Sequence, residues 1–73
     1  MANDDFSMAL GKRIRTLRKE RTGLSQSAFS LKIGMDRVYF GQVERGEYAI
    51  TVLRLRLIAE GLDMTLSELL EGL

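Results

Sequence analysis

The stretch LSQSAFSLKIGMDRVYFGQVERGE, residues 24–47, decides the fold. Ser25 has the form of a helix N-cap, a hydroxyl placed to accept from a free backbone N–H. From it the spacing predicts a short helix from Gln26 to Ile33, with Phe29 and Ile33 pointing inward and Gly34 closing it. Only Met35 separates that glycine from the next cap, Asp36. A third helix follows from there through Arg45 and is closed by Gly46. Two short helices joined by so tight a turn cannot lie antiparallel. They cross steeply, as in a helix-turn-helix, here over about residues 25–45. Ser30, with its small side chain, lets the first of the two approach its partner. On the second, a polar face of Arg37, Val38, Gly41, Gln42 and Arg45 opposes an apolar face of Phe40 and Val43.

Outward from this pair, the pattern stays helical. Leu10, Ile14, Leu17 and Arg21 keep 3.6-residue spacing, which predicts a first helix from about Ser7 to Arg21, ended by Thr22-Gly23. Residues 1–6 are expected to be a disordered arm. The segment TVLRLRLIAEGL, residues 51–62, supports two periods. Leu53, Leu55 and Leu57 alternate with Arg54 and Arg56 as in a strand, while Val52, Leu55, Ile58, Ala59 and Leu62 keep helical spacing behind a Thr51 cap. A lone strand has nothing to pair with, so a helix is expected. Asp63-Met64 makes a turn, and TLSE at 65–68 has the capping-box pattern of a last helix. The fold class is all-α, with five short helices in one domain over residues 1–73.

Composition narrows the function. The chain has 73 residues with no histidine and no cysteine. That removes disulfides, the usual zinc sites and most nucleophile–base pairs, so neither an enzyme nor a metal or other cofactor is expected. No apolar run approaches the roughly 20 residues that span a bilayer, and the start, MANDDFSMAL, is acidic where a signal peptide is basic. No membrane is expected, and a cytoplasmic location is. Net charge is only +1, but all eleven Lys and Arg fall between Lys12 and Arg56 against four acidic residues, a local net of +7. Asp4 and Asp5 lie before that segment, and Glu60, Asp63, Glu68 and Glu71 lie after it. A basic body with acidic ends suits an anionic partner; a solvated helix face is the other reading.

Residues 24–47, continued by IAEGLDMTLSELLEGL at 58–73, resemble the Xre/Cro-type helix-turn-helix family, the lambda-repressor-like DNA-binding domains. The ordered set carries the resemblance: LSQ, a small residue, a glycine, VERG, and a final LSELL. It implies a five-helix lambda-repressor-like domain acting as a dimeric transcriptional regulator on double-stranded DNA, with the third helix in the major groove. In such a domain Gln26 binds a phosphate and braces the start of the third helix. Arg37, Val38 and Gln42 stand nearest the bases. Arg37 suits guanine O6 and N7, Gln42 adenine N6 and N7, and Val38 a thymine methyl. Tyr39 is left between a sugar-phosphate contact, a base and the core edge, and Arg45 is placed for a phosphate. The resemblance also pairs Glu44 with an arginine of the first helix, Arg18 by position, allowing for one extra residue in ERTGLSQ.

Gly41 costs a helix about 1 kcal/mol relative to alanine. Its place one turn from Arg37 and Val38 suggests that the missing side chain lets the backbone sit close to DNA. Leu53 and Leu57, one turn apart, stand where the family usually carries polar residues. With Leu66, Leu69, Leu70 and Leu73 they form a candidate homodimer face, core alone being the other reading for the final leucines. A two-fold dimer fits a palindromic operator and an autoregulatory role, as in a phage repressor or a restriction–modification controller. The alternative is a protein-interaction module of the same fold, such as an antitoxin with a toxin as its partner.

Overall fold

The computed structural model describes residues 3–73. Its element order is α1 (Asp5–Leu17), a π-helical turn (Arg18–Thr22), α2 (Gln26–Ile33), α3 (Arg37–Glu44), α4 (Val52–Gly61) and α5 (Leu66–Leu70). Each start has a local cause: the side chains of Asp4, Ser25, Asp36, Thr51 and Thr65 accept from backbone N–H groups of the first turn that follows. At Thr65 the bond is reciprocal, since Glu68 accepts from the Thr65 N–H at 2.9 Å.

The expected arm at residues 1–6 is corrected where the structure describes it. Asp4 caps α1 by accepting from the Ser7 N–H at 2.6 Å, so the helix starts at Asp5, two residues earlier than the apolar spacing indicates. Asn3 donates its backbone N–H to the Gly46 carbonyl, also at 2.6 Å. Residues 1–2 lie outside the described residues. The end of the first helix differs too. It leaves α geometry at Arg18 for one wider turn, in which the Gly23 N–H reaches back to the Arg18 carbonyl and the Thr22 hydroxyl donates to that same oxygen. A π turn holds one more residue than an α turn, and it spans Arg18–Thr22 here.

One core joins the helices. Phe29 of α2 and Phe40 of α3, both fully buried, meet with ring centroids 5.3 Å apart. Ile14 from α1, Ile58 from α4, Leu62 just past its end and Leu69 from α5 close around them. α1 lies across α3 and α5, and α2 packs against α3 and α4. The α1–α3 crossing is close enough that a Cβ on Gly11 would sit 2.5 Å from the Val43 carbonyl oxygen, inside contact distance. Backbone on backbone at that crossing fixes how far α3 stands out from the body.

Leu69 corrects the candidate dimer face: it is fully buried inside the monomer and has no surface to offer a partner. Leu66 and Leu70 pack partly against the same core, while Leu73 is exposed. Leu53, 76 % exposed, and Leu57 stay on the outside of α4, beside an exposed Val52.

Candidate nucleic-acid interface

α2 and α3 are set by the turn between them. Gly34 takes φ +69°, and the Met35 N–H donates to the Ser30 carbonyl at 2.9 Å, which closes α2 and redirects the chain into the Asp36 cap. Asp36 spends its carboxylate on the Tyr39 N–H (2.9 Å), and among the described residues Arg37 makes no ion pair. Phe40, Val43 and Glu44 anchor one side of α3 in the body. Arg37 and Val38 stand exposed on the other side, and Gln42 is half-buried beside them. Helical spacing puts Arg37, Val38, Gly41, Gln42 and Arg45 on that outer face, and the first three of these line a shallow depression with Arg45 and Gln26.

Beneath this face is a buried charge cluster. Arg18 donates from Nε to Glu44 Oε2 at 2.8 Å and from Nη2 to Oε1 at 3.1 Å, with side-chain exposures of 5 % and 1 %. Its Nη1 donates to the Leu24 carbonyl at 2.7 Å. Gln26 Nε2 donates to Glu44 Oε1 at 2.7 Å. Every polar atom of the cluster that is fully buried has a partner, which is the condition for keeping an ion pair out of water. The cluster ties α1, the start of α2 and the end of α3 together, and it fixes the Gln26 amide at the rim of the depression.

Two site residues stand differently from their sequence readings. Gly41 is buried, so its backbone is not an open floor. A Cβ there would lie 3.3 Å from Arg45 Nη1 and 3.5 Å from Gln26 Oε1, so the missing side chain makes room for this protein's own polar groups. Arg45 follows from that. Side chains at the end of a helix lean back toward its start, and this guanidinium lies along α3 above Gly41 instead of beyond the helix end. Glu47 holds it, accepting from Nε at 2.8 Å and from Nη2 at 3.4 Å. That bond holds the Glu47 carboxyl below its usual range and raises Arg45.

Tyr39 sits at the seam between α3 and the rest. Its ring is 5.4 Å from that of Tyr48 and has the Arg54 guanidinium 5.0 Å above it. Glu47, Tyr48 and Arg54 were not singled out from sequence. Glu47 had a visible signal in its place just after Arg45-Gly46; Arg54 was hidden in the alternation of leucine and arginine.

The basic body divides once the partners are known. Arg13 donates to the Leu69 and Glu68 carbonyls at the end of α5. Arg21 donates to Leu62 and Asp63, and Lys32 to Gly61, at the end of α4. These three cations satisfy helix C-termini, and Arg18 is buried. Lys12, Arg15, Lys19 and Arg37 remain exposed with no ion-pair partner among the described residues, as does Arg54 over the Tyr39 ring. No helix among those residues is long and apolar enough to cross a membrane.

Known proteins share this fold. Residues 14–69 match the helix-turn-helix family. The control protein C.MunI of Mycoplasma sp is 39 % identical over 66 residues, which is 90 % of this chain and 89 % of that protein. The crystal structure of the restriction-modification controller protein C.AhdI from Aeromonas hydrophila superposes with a TM-score of 0.80 at 37 % identity, covering 89 % of this chain and 96 % of that one. That of the restriction-modification controller C.Esp1396I gives 0.81 at 27 % identity, over 93 % and 90 % of the two chains.

Proposed function

The chain belongs to the helix-turn-helix family, and on that premise we propose that it is a transcriptional regulator of the controller type, acting as a single domain and a homodimer on a palindromic operator. The observation that carries this is the split of α3. Phe40, Val43 and Glu44 lock one side into the body, and Arg37 and Val38 stand exposed on the other. A helix held that way and exposed at its N-terminal end suits the roughly 12 Å wide major groove. Arg37 has the donor geometry for guanine, Gln42 for adenine, and Val38 suits a thymine methyl. Tyr39, with Arg54 above its ring, and Gln26, on the depression with Arg37 and Val38, are the candidates for sugar-phosphate contacts. The likeness to C.MunI and C.AhdI supports control of a restriction–modification system over the antitoxin reading.

For the dimer, Leu53 and Leu57 with Val52 supply an exposed apolar strip on α4, and Leu73 an outlying contact. Two-fold pairing would set the two reading helices about 34 Å apart, one turn of duplex. The protein then works in the cytoplasm without catalysis.

The test is selection from a random duplex library, followed by titration of the winner against a scrambled duplex. A two-fold palindrome bound about 10³-fold or more tightly than scrambled DNA is the expected result. Enrichment of no motif, with binding that collapses as salt rises, would leave only a non-specific phosphate surface and turn attention to a protein partner.

A further inference from the structure

Of the two Arg–Glu pairs that meet on α3, the outer one sits in an unlikely place. A surface that binds DNA is under pressure to shed carboxylates, because each one near the phosphates opposes binding to every sequence alike. Glu47 is a carboxylate on that surface, and it engages Arg45 as a fork, through Nε and Nη2. The approach is built by the backbone. Gly46 takes φ +76°, and the Glu47 N–H donates to the Gln42 carbonyl at 2.9 Å, which brings Glu47 back alongside the helix it has just left. Gly41 supplies the matching seat, since Arg45 Nη1 is 3.3 Å from where its Cβ would stand. The same guanidinium lines the depression with Arg37, Val38 and Gln26.

Resting on the DNA-binding reading above, we infer that Glu47 is a specificity-determining residue, which positions Arg45 over Gly41 as a groove-facing donor and withdraws its charge from non-specific phosphate binding. Two consequences act together. With Nε and Nη2 engaged, Arg45 presents Nη1 in a fixed direction, and a base edge with acceptors in that direction is contacted without breaking the pair. A phosphate of arbitrary DNA meets a guanidinium already neutralised, with a carboxylate behind it. Glu47 therefore weakens binding to all DNA but weakens it most where no base compensates. The lowered carboxyl of Glu47 fits this, keeping the pair charged at working pH.

The experiment compares the intact protein with Glu47→Gln, each titrated against the selected operator and a scrambled duplex over a range of salt concentrations. Glutamine keeps the shape at an exposed site, and a urea midpoint confirms that the variant folds. The expected result is a several-fold gain for the scrambled duplex. Its log-affinity against log-salt slope should steepen by about 0.9, one added phosphate, and operator-to-scrambled preference should fall. In an Arg45→Ala background, Glu47→Gln should leave the slope unchanged, because the released charge is that of Arg45. Equal shifts on both duplexes, or a slope that steepens without Arg45, would show Glu47 to be a general repulsive charge and overturn the inference. An unchanged slope and preference would overturn it as well. If the unsubstituted protein shows no preference between duplexes, the operator reading fails instead, and the slope comparison still decides whether Glu47 restrains Arg45.

Discussion

Glu44 and Arg45 are neighbours in sequence, and each is half of an Arg–Glu pair, yet the two pairs do different work. The Arg18–Glu44 pair is dry, with side-chain exposures of 5 % and 1 %, while the Arg45–Glu47 pair stands in solvent at 57 % and 39 %. Donor distances do not separate them: both have an Nε–O contact of 2.8 Å. Water does. In the interior the attraction is weakly screened and an unmatched partner is left stranded, whereas at the surface solvent and salt replace whatever is removed. The inner pair thus fixes where α3 sits relative to α1 and α2, and the outer one is free to act on what α3 meets.

Removing Glu44 should break this comparison most strongly. Glu44→Ala leaves the Arg18 guanidinium buried with only the Leu24 carbonyl, and it frees the Gln26 amide as well. A loss of about 3–5 kcal/mol in chemical denaturation is expected. For a small helical domain that is much of the total stability. A loss below about 1 kcal/mol, the surface-pair range, would place both pairs in the same class.

Arg37→Ala is the converse case, a residue with no ion-pair partner among the described residues. Its removal should leave the urea midpoint nearly unmoved and weaken operator binding by about 1–3 kcal/mol, the worth of one bidentate base contact. Specificity should relax at a single position of each half-site. Uniform weakening across sequences would reassign Arg37 to a phosphate.

Much of this division was legible in the sequence, and the parts that were not share a cause. The caps at Ser25, Asp36, Thr51 and Thr65 act on the first turn after them, so local order is enough to find them. The inward side of α3 follows from the same local periodicity. Asp4 was legible in principle, but it lies before the apolar spacing that marks the first helix, although it caps that helix. Arg13, Arg21 and Lys32 look in sequence like charges awaiting an anion. Their carbonyl acceptors lie 56, 41 and 29 residues away, which no local pattern reveals. Leu69 and Leu70 could not be told apart because α5 has five residues, too few to define a face by period. For Gly41 the sequence placed the residue on the face of Arg37 and Val38 but did not show its neighbours within the protein. What covers it is a side chain four residues on, held by another two beyond that.

Gly41→Ala should give a smaller and two-signed effect. Alanine favours the helix by about 1 kcal/mol over glycine, against which the Arg45 terminus must move by a few tenths of an ångström from the added Cβ. That terminus is exposed and flexible, so it can give way, and the net stability change should be a gain of somewhat less than about 1 kcal/mol. Operator affinity should fall because Arg45 has been displaced from its seat. Stability gained with affinity unchanged would show that the seat matters only to the free protein.

The smallest effect is the outer pair's own share of stability, and pH isolates it. The hydrogen bond from Arg45 holds the Glu47 carboxyl below its usual range in the folded chain. A carboxylate whose folded pKa is depressed contributes stability that is present above its unfolded value and is lost as pH falls through the folded one. The urea midpoint of the unsubstituted protein should therefore lie slightly above that of Glu47→Gln at neutral pH. The gap should close as pH is lowered through and below the ordinary carboxylate range. Asp4 and Glu68 titrate over the same acidic window, held low by their bonds to Ser7 and Thr65, but both proteins carry them, so they cancel in the difference. High salt should close the gap as well, since an exposed pair is screened. The penalty for Glu44→Ala should survive the same salt, because no counterion reaches a side chain 1 % exposed. A gap for Glu47 that persisted at low pH or high salt would mean that its carboxylate charge is not what stabilises the loop, since the backbone bond from residue 47 to the Gln42 carbonyl is common to both proteins and cancels in the difference.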